Sequence, residues 1–393
     1  MSAPAAVPSF VQPHAQRMPC RTASLLRWPL IAALIVLMGT PQLSRAQSSS
    51  ALSSTSSSTP AVQVYTGSGE PASVGDVVAA SDTVSVVFVG EVHNDPGAHA
   101  LQDTLFAALA ARHAAADSAA PSRPLALSLE MLERDVQPVV DEYLSGRISE
   151  RHFVTASRMW DRYRSAYRPL VQRAKEQGFP ILAANAPRRY VSRVASAGRG
   201  SLDSLSSWAK QWIAPLPYPG PSEAYRAKWS ERMREAMPPG HGGSPHGASS
   251  TGSSADTTAS TPDDTTQAQT HASPNASPHG SPHGAAMQAR MQSMLQAQAL
   301  WDATMAYTIA EHLLRRPDAL VLHVTGSFHV SEGTGTPEAL RHYRPDARML
   351  TVVVEPTADP TQFDESEHRG LGDFVVLTPD GSGSESGSEA PGE

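Results

Sequence analysis

The chain has 393 residues, with 31 lysines and arginines against 38 aspartates and glutamates, for a formal net charge of −7. So modest an acidic excess, with no cluster of basic residues beside interleaved aromatics, argues against a nucleic-acid partner. The one cysteine, Cys20, lies ahead of any globular region, which removes disulfides, thiolate metal sites and a cysteine nucleophile and leaves His, Asp, Glu, Tyr or Met for any metal.

Residues 1–46 read as a secretory signal peptide. Arg21 and Arg27 precede an apolar core at 30–38, and Ser44, Arg45 and Ala46 ahead of Gln47 resemble a small-residue cleavage site. An apolar run of about ten residues is too short to span a bilayer. The positive region is long, and a start at Met18 would give a leader of ordinary proportions. Cys20 precedes the core, so no lipid-attachment cysteine follows it; the expectation is an exported protein, periplasmic or secreted. A Ser-rich linker then covers 47–60. The remainder is expected to form one domain at 61–380, interrupted by a low-complexity insertion at 241–286 and followed by a disordered tail at 381–393. These stretches hold too few large apolar side chains to offset the entropy of ordering them. The insertion repeats Ser-Pro-His-Gly at 244–247, 277–280 and 281–284, which reads as incidental histidine in a solvated segment rather than a metal site.

Within the domain, apolar and β-branched runs predict strands at 84–89, 125–129, 180–184, 319–325, 349–354 and 374–377. Amphipathic stretches predict helices at 99–114, 136–144, 167–177, 188–197, 222–236 and 287–315. This alternation is the signature of an α/β fold, three layers with a mainly parallel sheet. Met287, Met291, Met294, Trp301, Met305 and Ile309 recur near helical spacing and read as a core stripe.

Polar groups concentrate where strands end, the place at which open α/β sheets bind ligands. Two segments share a Gly-x-x-His pattern, Gly90 to His93 and Gly326 to His329. Glu91 and His93 are two apart, so an extended backbone turns both to one face. Asn94, Asp95, Pro96 and Gly97 read as a loop and helix cap with Pro96 opening the helix, which sets His99 in its first turn. Glu130 ends another strand, and Asn185 a third, where it serves equally well as a helix cap. Glu91, His93, His99, Glu130 and His329 together suit either a nitrogen and oxygen metal site for zinc, iron or manganese, or a general acid and base pair. The segment 159–170 gathers Trp160, Tyr163, Tyr167, Arg162, Arg164 and Arg168. It reads as aromatic packing, or as a haem site in which tyrosine ligates iron and arginine meets propionates. No Gly-rich phosphate loop, His-Glu-x-x-His helix or Gly-x-Ser-x-Gly elbow occurs.

Val-Gly-Glu-Val-His-Asn-Asp-Pro at 89–96, Leu-Glu-Met-Leu-Glu-Arg-Asp at 129–135, Tyr-Arg-Pro-Leu at 167–170, Ile-Leu-Ala-Ala-Asn at 181–185, Trp-Asp-Ala-Thr-Met-Ala at 301–306 and Gly-Ser-Phe-His at 326–329 resemble, in this order, the ChaN family of haem-binding uptake proteins. The family belongs to the Tiki and TraB-related superfamily, near erythromycin-esterase-like proteins. The resemblance implies a three-layer α/β/α domain and an exported haem-binding protein of an iron-uptake system. It also implies a pair of haems between two protomers and an outer-membrane haem receptor as partner. It points to Tyr167, then Tyr163, as the iron ligand, with Arg168 nearby. The Tiki branch implies the alternative of a metal-dependent hydrolase using Glu91, His93, Glu130 and His329, with a divalent metal. The missing lipid-attachment cysteine departs from many members, and so does the long insertion.

Overall fold

The structure is a computed structural model that describes residues 62–114, 123–235 and 282–380. The expected leader, linker and tail, and the insertion as far as residue 281, lie outside the described residues.

In chain order the strands are β1 (Gln63–Thr66), β2 (Pro71–Ala72), β3 (Val86–Glu91), β4 (Leu125–Glu133), β5 (Ile181–Asn185), β6 (Leu320–Gly326), β7 (Met349–Thr357) and β8 (Phe374–Pro379). They form one sheet of eight strands in the order β2-β1-β8-β7-β3-β6-β4-β5. From β8 to β5 neighbouring strands run parallel, while β1 joins β8 and β2 joins β1 antiparallel. Around the sheet lie α1 (Val74–Ala80), α2 (Pro96–Ala114), α3 (Gln137–Leu144), α4 (Glu150–Ala156), α5 (Arg168–Gln177), α6 (Arg188–Ala197), α7 (Ser207–Lys210), α8 (Glu223–Glu235), α9 (Pro282–Arg315), α10 (Thr336–Tyr343) and α11 (Glu365–His368).

Alternation along the central strands divides the core. Val87 and Val89 of β3, Leu127 and Leu129 of β4, and Leu322 and Val324 of β6 pack with Leu105 and Phe106 of α2, Val140 of α3 and Leu170 of α5. Val86, Phe88, Ala126 and Val321 face the other way, onto Ile309 and Leu313 of α9 and Leu340 of α10. Both faces of the strands are therefore covered, which is why these segments read as continuous apolar runs. Each Val or Leu fully buried here contributes roughly 1.5–3 kcal/mol.

Local chemistry fixes the ends. Pro96 opens α2, as expected, and Gly178 stops α5 in the left-handed conformation at φ 73°, while the Phe179 N–H reaches back to the Ala174 carbonyl. The predicted strands and helices all appear, several longer than expected: β4 runs on to Glu133, β7 to Thr357, and α9 starts at Pro282. The methionine stripe is corrected. Met305 and Ile309 are buried, but Met287 is 55% and Met294 37% exposed, because α9 extends beyond the sheet it packs on.

Candidate functional site

Parallel pairing sets Glu91 beside Gly326, and β4 follows β6 in register as far as Leu129 opposite Val324. The carboxyl ends of three neighbouring strands, β3, β6 and β4, thus meet at one edge of the sheet. Glu130 lies just beyond, still in the regular alternation of β4, before its pairing with β5 shifts register ahead of Glu133.

Two carboxylate networks occupy this edge. Glu91 is buried and accepts from the Tyr167 hydroxyl at 2.6 Å and from His93 Nδ1 at 2.8 Å through Oε1. Its Oε2 takes the Gln102 amide and lies 3.6 Å from His99 Nε2. Glu130, also buried, accepts the Thr325 hydroxyl at 2.6 Å and the Gly326 N–H at 2.7 Å, and its other oxygen lies 3.8 Å from His329 Nε2. His329 donates from Nδ1 to Asp302 at 2.8 Å. Asp302 accepts in turn from Tyr225 at 2.6 Å and Thr336 at 2.9 Å. Two glycines make these approaches feasible. A Cβ on Gly326 would sit 3.1 Å from His93 Nε2, and one on Gly335, whose φ is 68°, would meet Asp302 at 2.9 Å.

Burial opposes a charge on His329, but the fields of Asp302 and Glu130 outweigh it and raise its pKa to about 9. Burial likewise opposes a charged His93; the Glu91 hydrogen bond and the charges of Glu130 and Glu91 leave it above its ordinary value. For Glu130 burial pushes upward, and the imidazoles of His329 and His93 with two hydrogen bonds bring it below the usual range. The shifts of Glu130, His93 and His329 all favour the charged form, and Glu91 lies beside them at the strand ends.

They line a cleft of about 840 Å³ whose walls include Trp160, Trp229, Trp301, Met233, Met294 and Phe328. That volume falls within the range of small-molecule and cofactor sites. Trp160 meets the His93 ring edge-on at 4.9 Å between centroids, and the His93 side chain is 41% exposed toward the cleft against 9% for His329.

Glu91, His93, Glu130, Asn185 and His329 line the cleft, and His99 reaches it through Glu91 alone. Tyr163 and Tyr167 do not line it. Both are buried, the first donating to Glu150 at 2.9 Å and the second to Glu91, and burial beside those carboxylates raises both phenols well above their ordinary pKa. Arg168 pairs with Glu150 at 2.7 Å, also off the cleft. Among the described residues no group of three or more His, Cys, Asp or Glu is arranged to hold a metal ion. Asp302, Tyr225, Thr325 and Gln102 were not anticipated. Gln102 left a signal, since it stands three residues after His99 on one helix face. Asp302 lay within a quoted segment, but its meeting with His329 depends on how α9 docks.

A porphyrin needs apolar walls, a nitrogen or oxygen donor, and cations for its carboxylates. The cleft offers tryptophan and methionine walls, and Arg188 and Arg232 at its lining. It also offers an imidazole whose Nδ1 is held by a carboxylate, which orients the ring and leaves Nε2 as the donor. The residues present fit the group.

The family model described as haem-binding uptake, Tiki superfamily, ChaN matches residues 77–340. A solved structure described as cofacial haem binding to ChaN of Campylobacter jejuni superposes with a TM-score of 0.53 at 14% identity, covering 80% of this chain and 96% of that one; at that identity the likeness speaks for the fold. An erythromycin esterase mutant in its open conformation gives a TM-score of 0.37 at 12% identity, with 78% of each chain covered. No curated protein matches the sequence.

Proposed function

Since the chain belongs to the ChaN family of haem-binding uptake proteins in the Tiki superfamily, we propose that its cleft binds haem and that the protein serves, after export, in haem and iron acquisition. The carrying observation is the pairing of tryptophan and methionine walls with His93, whose Nδ1 is held by Glu91 while Nε2, without a hydrogen-bond partner among the described residues, would ligate iron on losing its proton. Bound there, haem would supply its iron as cargo. A carboxylate on Nδ1 makes the imidazole a stronger donor. This assigns the iron ligand to His93 rather than Tyr167, whose proton is held between burial and Glu91. Export rests on the leader-like residues 1–46, and among the described residues no helix is long and apolar enough to cross a membrane. A second protomer and an outer-membrane haem receptor belong to this reading as partners on the family resemblance alone.

The test is a hemin titration followed by absorption. Saturable binding with a shifted Soret band is expected, weakened at least tenfold in His93→Ala and retained in the Tyr163→Phe/Tyr167→Phe double variant. A spectrum lost in Tyr167→Phe and retained in His93→Ala would return the ligand to tyrosine, and no saturation in the wild type would end the haem reading.

A second reading has its own support: His93 and His329, each hydrogen-bonded to a carboxylate, face one cleft with Glu130 between them. This is an acid and base pair suited to hydrolysis, with or without a divalent metal on Glu91, His93, Glu130 and His329. It predicts hydrolysis of esters or peptides that is lost in both His93→Ala and His329→Ala, with any co-purifying metal lost alongside. Activity or metal content unchanged in both variants would remove it.

A further inference from the structure

The haem reading requires carboxylate partners, and the sequence assigned them to Arg168, which the structure commits to Glu150 away from the cleft. Resting on that reading, we propose that the amino end of α6 is a carboxylate subsite made by Asn185 and Arg188, assisted by Arg232 of α8. The cleft would thereby select a flat apolar body that carries an anionic group.

Asn185 ends β5 only 6% exposed, yet it lines the cleft. Its Oδ1 accepts the Ala186 N–H at 2.9 Å, which leaves Nδ2 without a protein partner among the described residues and open to the cleft that Asn185 lines. An amide N–H that opens to the cleft without a protein partner is a donor available to a ligand's oxygen. Just beyond, Pro187 provides no side-chain cap for α6, and the first turn holds no acidic residue, so the positive end of the helix is uncompensated.

The neighbouring arginines sharpen the point. Arg189 pairs with Asp135 at 2.6 Å, whereas Arg188, which lines the cleft, has no hydrogen-bond or ion-pair partner among the described residues. Arg232 lines the same cleft, 3.7 Å from Glu235 and within the field of Glu355. The carboxylates that also line the cleft would repel an anion elsewhere: Glu91 and Glu130 at the strand ends, and Glu133, which Arg158 engages at 2.7 Å. The amino end of α6 is thus where a carboxylate is tolerated. Val191 and Ala195 continue from it along the helix as an apolar wall for the ligand body.

The test compares hemin, hemin dimethyl ester and metal-free protoporphyrin IX on the full chain by absorption and fluorescence titration, with thermal unfolding as the folding control. Wild type should favour hemin over the ester by about tenfold, the size of one charge-assisted contact. Arg188→Ala should remove most of that preference, and Arg188→Ala/Arg232→Ala the rest, while ester binding stays within twofold. Protoporphyrin IX, which keeps the carboxylates and lacks iron, should lose affinity in Arg188→Ala as hemin does. Arg188→Lys should retain part of the preference, and Asn185→Asp, which adds a negative charge, should weaken hemin more than the ester. Equal binding of hemin and ester to wild type, or a preference untouched by Arg188→Ala, overturns the subsite and leaves the haem reading standing. Failure of hemin and ester alike to bind overturns both.

Discussion

Two carboxylate centres at the same sheet edge are built on opposite plans. Around Glu91 the partners are a phenol, an amide and two imidazoles, and one of those, His93, opens onto the cleft. Around Asp302 and Glu130 the imidazole of His329 is enclosed, its pKa raised to about 9 between two carboxylates, with hydroxyls filling the remaining positions. Alternation along the strands separates them: Glu91 shares the face of Val87 and Val89, Glu130 that of Ala126 and Ser128. One centre can exchange a partner with a ligand; the other is a fixed ion cluster that shapes the field below it.

The sharpest way to break this contrast is to delete a carboxylate from each. Asp302→Ala leaves the His329 cation, Tyr225 and Thr336 without their acceptor in a buried place, and should destabilise the fold by about 3–5 kcal/mol in chemical denaturation. Glu91→Gln keeps an acceptor for Tyr167 and should cost about 1–2 kcal/mol while changing ligand binding more. Equal losses in the two variants would mean that the two centres are equally structural.

The pH profile follows next in size. His329 has a folded pKa raised to about 9 by its carboxylates. Its contribution is therefore complete below the unfolded value near 6.5 and is lost as pH rises through the folded one. Glu130 shifts the opposite way, so its contribution is present above the ordinary carboxylate range and fades as pH falls through the lowered value. Stability should decline by up to about 3 kcal/mol between pH 6.5 and 9, and Asp302→Asn should flatten that slope. A slope unchanged in Asp302→Asn would show that His329 is not the ionised group. On the cleft side a smaller effect is expected from Gly326→Ala. The added Cβ would press on His93 Nε2 from 3.1 Å, weakening hemin severalfold while stability changes by less than about 1.5 kcal/mol.

The central sheet was legible because its strands are covered on both faces and read as unbroken apolar runs, and the polar residues that close them, Glu91, Glu130 and Asn185, stood out by contrast. β1 and β2 were missed, being four and two residues long at the antiparallel edge. The helix α1 was missed despite a readable signal, the Ser73 and Asp76 capping box. The seven-residue helix α4 gave too few turns for a period to register, and α10 was missed although α3, equally eight residues long, was read. Asp302 and His329 are 27 residues apart, and nothing local links them. The aromatic segment around Tyr163 and Tyr167 showed its composition but not its orientation, which the packing of Phe153 and α5 against the sheet decides.

The smallest expected effect separates two arginines that composition treats alike. Arg168 is 46% exposed and paired with Glu150, itself 30% exposed. Solvent screens such a pair, so Arg168→Ala should leave the thermal unfolding midpoint nearly unchanged. Because Arg168 does not line the cleft, hemin affinity should stay within twofold of wild type and the spectrum should not move. Arg188, with no protein partner among the described residues, should differ in the ligand alone: stability unchanged and hemin preference lost. If Arg168→Ala weakened hemin as strongly as Arg188→Ala, the ligand would lie against the Tyr163 and Tyr167 segment, and the haem site would shift from the strand ends to that side of the sheet.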